Sequence, residues 1–111
     1  MSYNVIITQR FEKELKRLVK KFPSLKNEFA AFIADIVIKP TMGTLIGNNC
    51  YKIRFAIGSK SKGKRGGARV ITHLYVATET VYLLTIYDKS EKHDLKPNEL
   101  KDLLLNLALD A

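Results

Sequence analysis

The spacing of apolar residues changes near Tyr51 from the period of a helix to the period of a strand. Between residues 11 and 37, apolar side chains recur at steps of three and four, which is the stripe of an amphipathic helix. From Tyr51 to residue 57 they alternate with other residues, as they do along a strand with one face in a core. This change of period predicts an α+β domain, in which helices pack on one face of a sheet.

The predicted order of elements is β-α-α-β-β-β-α, and residues 1–111 are expected to form a single domain. We expect an antiparallel sheet, with an N-terminal helical hairpin packed on one face and a C-terminal helix after the last strand. Residues 41–49, which contain Gly and Asn pairs, are predicted to be a loop. Strands are predicted over residues 3–7, 51–57, 69–76 and 81–89.

Prolines and hydroxyl residues mark where the predicted helices begin and end. Thr8 and Ser24 are candidate N-caps, because a hydroxyl oxygen can accept a hydrogen bond from the first helical turn. Pro23 and Pro40 end the first and second helices, since proline cannot continue a helix. Pro97 suits the first turn of the C-terminal helix.

The net positive charge of the chain lies in one continuous segment. The sequence contains 19 Lys and Arg against 11 Asp and Glu, a formal net charge of +8. Residues 36–78 contain eight of these cations and no acid, so the rest of the chain has 11 cations and 11 acids. Such a local cationic field attracts a polyanion, usually nucleic acid. The first predicted helix is also basic on one face, which is either a solvated surface or a second nucleic-acid contact.

Seven of these cations lie within residues 52–69. Lys52 and Arg54 share one face of a predicted strand, and Arg69 opens the next strand. Between the two strands, residues 58–67 are rich in Gly, Ser and Lys, which predicts a mobile basic loop. We favour phosphate contacts by this loop over a plain hairpin turn. The predicted RNA-binding residues are Lys52, Lys60, Lys62, Lys64 and Arg65.

Three segments resemble the RelE/ParE toxin superfamily, and within it the HigB-like RelE toxins of bacterial type II toxin–antitoxin pairs. They are CYKIR at residues 50–54, GKRGGARVI at residues 63–71 and YLLTIYDKSEKHDL at residues 82–95. The resemblance is strongest over residues 51–95 and covers the rest of the chain only through the pattern of its elements. It implies a RelE-like fold for the predicted α+β domain.

The resemblance implies the activity of an mRNA interferase, an endoribonuclease that inhibits translation. Such toxins enter the ribosomal A site and cut mRNA through attack of the ribose 2′-OH on the neighbouring phosphate. The implied partners are mRNA, the ribosome and a cognate antitoxin, which is usually a small helix-turn-helix protein. Operator DNA would be contacted only through this antitoxin. We expect no cofactor, no membrane partner and a cytoplasmic location, since no apolar run approaches the roughly 20 residues of a membrane span.

The resemblance also implies which residues form the site. The cations of the family's site fall on Lys52, Arg54, Arg69 and Lys89. The tyrosine of the family's site falls near Leu95, so we take Tyr87 as its substitute because it shares a strand face with Lys89. The predicted catalytic residues are Arg54, Arg69, Tyr87 and Lys89.

Cleavage by the 2′-OH needs a base, cations that stabilise charge on the phosphorane, and an acid for the leaving oxygen. Arg and Lys side chains supply the cations that stabilise charge on the phosphorane. A dense cationic cluster is expected to lower the pKa of a tyrosine and of a neighbouring lysine. Tyr87 and Lys89 are therefore the candidate base or acid.

Other reactive side chains are given structural roles, although a site role stays open for three of them. His73 shares the strand face of Arg69, whereas His93 and Glu91 lie in a polar segment and are expected to be exposed. Cys50 has no histidine near it in sequence and is expected to be an inert thiol. Two His and one Cys, far apart in sequence, make no metal motif.

Two other functions remain open from the sequence. A ParE-like inhibitor of DNA gyrase would share the fold but cut nothing, and the basic cluster argues against it. A non-catalytic RNA-binding module would account for the charge, but it leaves the match of the cations to the family's site as a coincidence.

Overall fold

The computed structural model describes residues 3–60 and 66–110, with side chains described as far as residue 107. The described residues form the strands β1 (Asn4–Ile7), β2 (Thr44–Gly47), β3 (Cys50–Phe55), β4 (Ala68–Tyr75) and β5 (Thr80–Asp88), and the helices α1 (Gln9–Lys21), α2 (Leu25–Ile38) and α3 (Glu99–Asp110). The predicted α+β class and each predicted helix and strand are confirmed, and β2 is an addition. No helix in the described ranges is long and apolar enough to cross a membrane.

The five strands form one sheet in the order β1-β5-β4-β3-β2. The strands from β2 to β5 pair antiparallel, as predicted, but β1 lies parallel to β5, so the sheet is mixed. The Asn4 amide donates to the Glu79 carbonyl oxygen at 2.8 Å, directly before β5 begins. This bond places the start of β1 beside the start of β5, and the two strands therefore run in the same direction.

The additional strand β2 lies within the predicted loop 41–49. Gly47 pairs with Cys50, which leaves a two-residue hairpin turn made of Asn48 and Asn49. Both asparagines have positive φ angles, 52° and 56°. Turns of this kind match the twist of a hairpin and favour Asn, so the Asn pair indicated a hairpin rather than an open loop.

Two apolar layers hold the helices on opposite faces of the sheet. The hairpin of α1 and α2 covers one face, and the Thr8 hydroxyl caps α1 as predicted by accepting a hydrogen bond from the Phe11 amide at 3.3 Å. Helix α3 covers the other face through Leu103. Fully buried side chains of the hairpin layer include Phe11, Leu18, Leu25, Ile36, Val70 and Leu83.

Ser24 precedes α2 but does not cap it, contrary to the prediction. Its backbone is helical, and its hydroxyl donates to Glu28 at 2.8 Å and accepts from the Ser59 amide at 2.9 Å. These bonds fix a 3-10 turn over Gly58–Lys60 against the start of α2. The first part of the predicted mobile loop is therefore ordered, and residues 61–65 lie outside the described residues.

Replacement of Leu18 tests the packing of the helical hairpin on the sheet. Leu18 is fully buried, so we expect Leu18→Ala to lower the free energy of unfolding by about 2–5 kcal/mol through lost burial and a cavity. Leu105→Ala is the matched control, because Leu105 is 58% exposed and its loss should change stability by less than about 0.5 kcal/mol. Urea denaturation of both variants measures the difference, and equal losses would contradict this packing.

Candidate active site

A row of three predicted catalytic residues crosses the sheet. Arg54 on β3 pairs directly with Arg69 on β4, and Arg69 pairs with Tyr87 on β5. Residues opposite each other in antiparallel strands have Cβ atoms roughly 5 Å apart and point to the same face. Tyr87 belongs to the apolar layer under α3, so the row lies on the α3 face of the sheet.

Two further predicted cations lie beside this row. Lys52 precedes Arg54 by two residues on β3 and therefore shares its face. Lys89 follows the end of β5, and its amide donates to the Gly67 carbonyl oxygen at 3.0 Å. The structure thus brings together five of the predicted residues, which we call the strand-row cluster: Lys52, Arg54, Arg69, Tyr87 and Lys89.

The members of the strand-row cluster differ in their exposure. Arg54 is exposed, and Lys52 and Lys89 are half-buried. Arg69 and Tyr87 are each only 5% exposed, and Arg69 Nη1 donates to the Ala68 carbonyl oxygen at 3.1 Å. Three cations are therefore open to a ligand, with an arginine and a tyrosine beneath them.

Gly67 lets the chain approach β3 closely at this cluster. A Cβ atom at Gly67 would lie 2.1 Å from the Phe55 carbonyl oxygen, a distance that no side chain allows. Glycine is therefore required at position 67, where the basic segment joins β4. Gly67 lies against Phe55, the residue after Arg54 on β3, and it precedes Arg69 by two residues.

The segment after β5 contributes Asp94, which the sequence did not single out, and His93, for which a site role was left open. Lys52 Nζ lies 3.4 and 3.5 Å from the two carboxylate oxygens of Asp94, and Lys89 Nζ lies 3.0 Å from His93 Nδ1. A hydrogen bond from the Leu95 amide and the charge of Lys52 lower the pKa of Asp94. Asp94 is an acid that faces Lys52 of β3, and only the tertiary fold indicates this position.

The expectation of a lowered phenol pKa at Tyr87 is wrong. Burial and the negative charge of Asp94 raise the pKa of Tyr87 to about 12, and the charge of Arg69 opposes this shift only in part. Lys92 lies over the Tyr87 ring, with Nζ 5.4 Å from the ring centroid. Tyr87 is consequently a neutral, buried phenol near pH 7.

Lys60 lies away from the strand-row cluster, which does not fit its predicted contact with RNA. Its side chain is 7% exposed, and its ammonium donates to Asp88 and, at 3.3 Å, to the Ser90 hydroxyl. Asp88 follows Tyr87 on the strand, so its side chain points to the opposite, helical-hairpin face. The predicted RNA-binding residues Lys62, Lys64 and Arg65 lie outside the described residues.

The basic face of α1 is largely neutralised by ion pairs within the protein. Arg17 donates to Glu91 at 2.8 Å, and Lys21 lies 3.4 Å from the same carboxylate. Arg10 pairs with Glu99 at 2.8 Å. These contacts support the interpretation of α1 as a solvated face, and they give Glu91 structural partners in Arg17 and Lys21.

His73 and Cys50 form a separate pair toward the other end of β4. The two residues are register partners, and Cys50 Sγ lies 3.4 Å from His73 Nδ1. The sequence did not indicate this contact, because the two residues are far apart along the chain. Burial raises the pKa of the Cys50 thiol to about 11 and lowers the pKa of His73. Both groups are therefore neutral near pH 7, in agreement with an inert thiol. Among the described residues, no group of three His, Cys, Asp or Glu side chains could hold a metal ion.

Comparison with known proteins places this geometry in a known fold. No family model matches the chain. The isolated RelE toxin of E. coli superimposes with a TM-score of 0.60 at 14% identity, over 96% of this chain and 99% of that chain. This chain has a RelE-like fold.

Two toxin–antitoxin complexes contain chains with the same RelE-like fold. The intact E. coli RelBE complex matches with a TM-score of 0.60 at 18% identity, over 78% of this chain and 96% of that chain. The RelBE2 complex of Mycobacterium tuberculosis matches with a TM-score of 0.56 at 18% identity, over 79% of this chain and 99% of that chain. The resemblance to RelE toxins inferred from sequence is thus confirmed in the fold.

The ionisation of Tyr87 can be measured directly. We expect the alkaline absorbance titration of the protein, minus that of Tyr87→Phe, to show one phenol whose pKa is about 12. The physical reason is that burial and Asp94 both disfavour the phenolate. A phenol in the difference titration that ionises below about pH 10, the ordinary value for tyrosine, would contradict the described site.

Proposed function

We propose that this protein is the toxin of a type II toxin–antitoxin pair and cuts mRNA on the ribosome as an endoribonuclease. The observation that carries the proposal is the strand-row cluster, in which strand register places Lys52, Arg54 and Arg69 on one face and Lys89 follows at the end of β5. The RelE-like fold supports the same function, because chains of that fold are toxins in the solved RelE and RelBE structures. By this reading, the chain is a member of the RelE superfamily, with the HigB-like toxins as its nearest branch.

The exposed cations of the cluster would hold the phosphate that is attacked. Arg54 can make two parallel hydrogen bonds to phosphate oxygens, and Lys52 and Lys89 add point charges on either side of it. As the 2′-oxygen bonds to phosphorus, negative charge grows on the phosphorane, and fixed cations stabilise that charge more than the ground state. Arg69 contributes its positive charge from beneath and does not need to touch RNA.

The cluster also offers a route for the protons. His93 lies beside Lys89, and imidazole is the side chain best suited to accept the 2′-OH proton near neutral pH. The Lys89 ammonium would then give a proton to the 5′-oxygen as the P–O bond breaks, which leaves a cyclic phosphate and a free 5′-OH. Tyr87 would support the site as a neutral phenol in the packing beneath.

The proposed partners follow from the toxin function. The ribosomal A site and its mRNA would be the target, and Lys62, Lys64 and Arg65 are proposed to contact RNA phosphates there. The protein would act in the cytoplasm. A cognate antitoxin would silence it, as the RelBE complexes pair toxin with antitoxin, and operator DNA would be contacted only by that antitoxin.

Purified ribosomes programmed with a defined mRNA test the proposal by primer extension. We expect cuts within the codon in the A site, and we expect Arg54→Ala to slow cleavage by about 10²–10³-fold through loss of transition-state charge stabilisation. In the same assay His93→Ala should slow cleavage, because the proposed acceptor of the 2′-OH proton is lost.

Lys26→Ala is the matched control for Arg54→Ala. It removes one exposed positive charge from α2, on the opposite side of the sheet, and should leave the cleavage rate within about 3-fold. An intact mRNA with wild-type protein would overturn the nuclease proposal, and inhibition of DNA gyrase in its place would support the ParE-like alternative. Equal losses in the two variants would mean that overall charge, rather than the cluster, carries the activity.

A further inference from the structure

The ammonium of Lys60 is held in a buried contact behind the strand-row cluster. It donates to Asp88 Oδ1 and to the Ser90 hydroxyl, and it lies 5.4 Å from the centre of the Phe22 ring. Only 7% of the Lys60 side chain and none of the Asp88 side chain is exposed. A charged pair placed so deeply is costly to break, because either partner alone would remain as an uncompensated buried charge.

Asp88 is the centre of this contact. Its Oδ1 also accepts hydrogen bonds from the Ser90 amide at 3.0 Å and the Ser90 hydroxyl at 2.9 Å, and Lys21 lies 3.8 Å from Oδ2. Burial alone would raise the pKa of Asp88, but the bonds from Lys60 and Ser90 outweigh it and lower that pKa. Asp88 is therefore a charged carboxylate at neutral pH, and the donors on its Oδ1 fix its position.

Lys60 is fixed from its own side as well. The Gly58 amide donates to Glu28 Oε2 at 2.8 Å, and the Ser59 amide and hydroxyl both donate to Ser24 Oγ, at 2.9 and 2.7 Å. The turn that carries Lys60 is thus attached to the start of α2. The Lys60–Asp88 contact consequently connects the helical hairpin to the last residue of β5.

Asp88 lies between two members of the strand-row cluster. Tyr87 precedes it and points to the other face of the sheet, and Lys89 follows it directly after the strand ends. The charge of Lys89 helps to lower the pKa of Asp94, the carboxylate that Lys52 contacts. The Lys89 amide bonds to the Gly67 carbonyl oxygen at 3.0 Å, which ties the same strand end to the segment that leads into β4. Movement of Asp88 would therefore move Tyr87 and Lys89 relative to Arg69.

We propose that Lys60 and Asp88 are positioning residues that hold the end of β5, and with it Lys89, in the geometry needed for RNA cleavage. This inference rests on the proposed function. Lys60 then has a different role from the predicted contact with RNA phosphate. Its side chain acts from the helical-hairpin face of the sheet and touches no RNA. The pair sets the rate of the chemical step, while the strength of RNA binding depends on the exposed cations.

The double variant Lys60→Met/Asp88→Asn tests the pair without leaving a buried charge, and its net charge equals that of the wild type. We expect a folded protein whose single-turnover cleavage on programmed ribosomes is about 10- to 100-fold slower. The ribosome concentration at half-maximal rate should stay within about 3-fold, because no phosphate contact is lost. Lys60→Arg, which keeps the charge and can reach Asp88, should retain most of the rate.

The salt dependence of binding separates positioning from direct contact. The double variant should bind ribosomes with an unchanged slope of log affinity against log salt. A slope reduced by about one, together with a normal cleavage rate in the double variant, would show that Lys60 contacts phosphate and would overturn the proposal.

Hydrogen exchange does not depend on cleavage, so it tests the positioning role even if the wild-type protein cleaves no mRNA. In hydrogen-exchange experiments the Lys89 amide should exchange at least about 10-fold faster in the double variant, because the end of β5 is released. Unchanged protection of that amide would overturn the positioning role. Absence of cleavage by the wild type would overturn only the proposed function.

Discussion

The pairing register of β3, β4 and β5 is the constraint on which the candidate site depends. Ile53, Val70 and Ile86 form one row across these strands, and each is buried under the helical hairpin. The next row contains the two arginines and the tyrosine of the strand-row cluster. A shift of one strand by one residue would expose an apolar side chain of the first row, at a cost of about 1.5–3 kcal/mol each. Burial of the apolar row therefore aligns the cationic row beside it.

The sheet separates the cations of the basic segment according to their surroundings. On the α3 face, Arg54 and the neighbouring lysines remain open to a ligand. On the helical-hairpin face, Lys60 is enclosed with Asp88 and Ser90. A count of charges along the sequence treats all of these cations alike, whereas the fold leaves only some of them available to a polyanion.

Sequence periodicity predicted the helices and the main strands because each element has one face in an apolar layer. The same alternation placed Lys52 with Arg54, but their alignment with Arg69 and Tyr87 depends on register, which no local pattern contains. The parallel pairing of β1 and the approach of Asp94 to Lys52 are likewise tertiary features. The hairpin at Asn48 and Asn49 was readable from sequence, since paired asparagines favour positive φ angles.

The ionisation of Tyr87 could not be predicted from charge composition alone. Nearby cations favour a phenolate, but removal of the phenol from water and the proximity of Asp94 favour the neutral form, and these two effects prevail. The candidate site therefore combines exposed cations with a neutral tyrosine packed beneath them, and the proposed proton transfers use side chains of the segment after β5.

The central claim is that Lys52, Arg54 and Lys89 bind one phosphate together. An NMR titration with a short RNA that carries a 2′-O-methyl group at the cleavage position, and therefore cannot be cut, measures this most directly. The side-chain resonances of the three cations should shift in parallel and fit one dissociation constant, while those of Lys26 stay unchanged. Shifts that fit different dissociation constants, or that appear equally at Lys26, would contradict a single phosphate site.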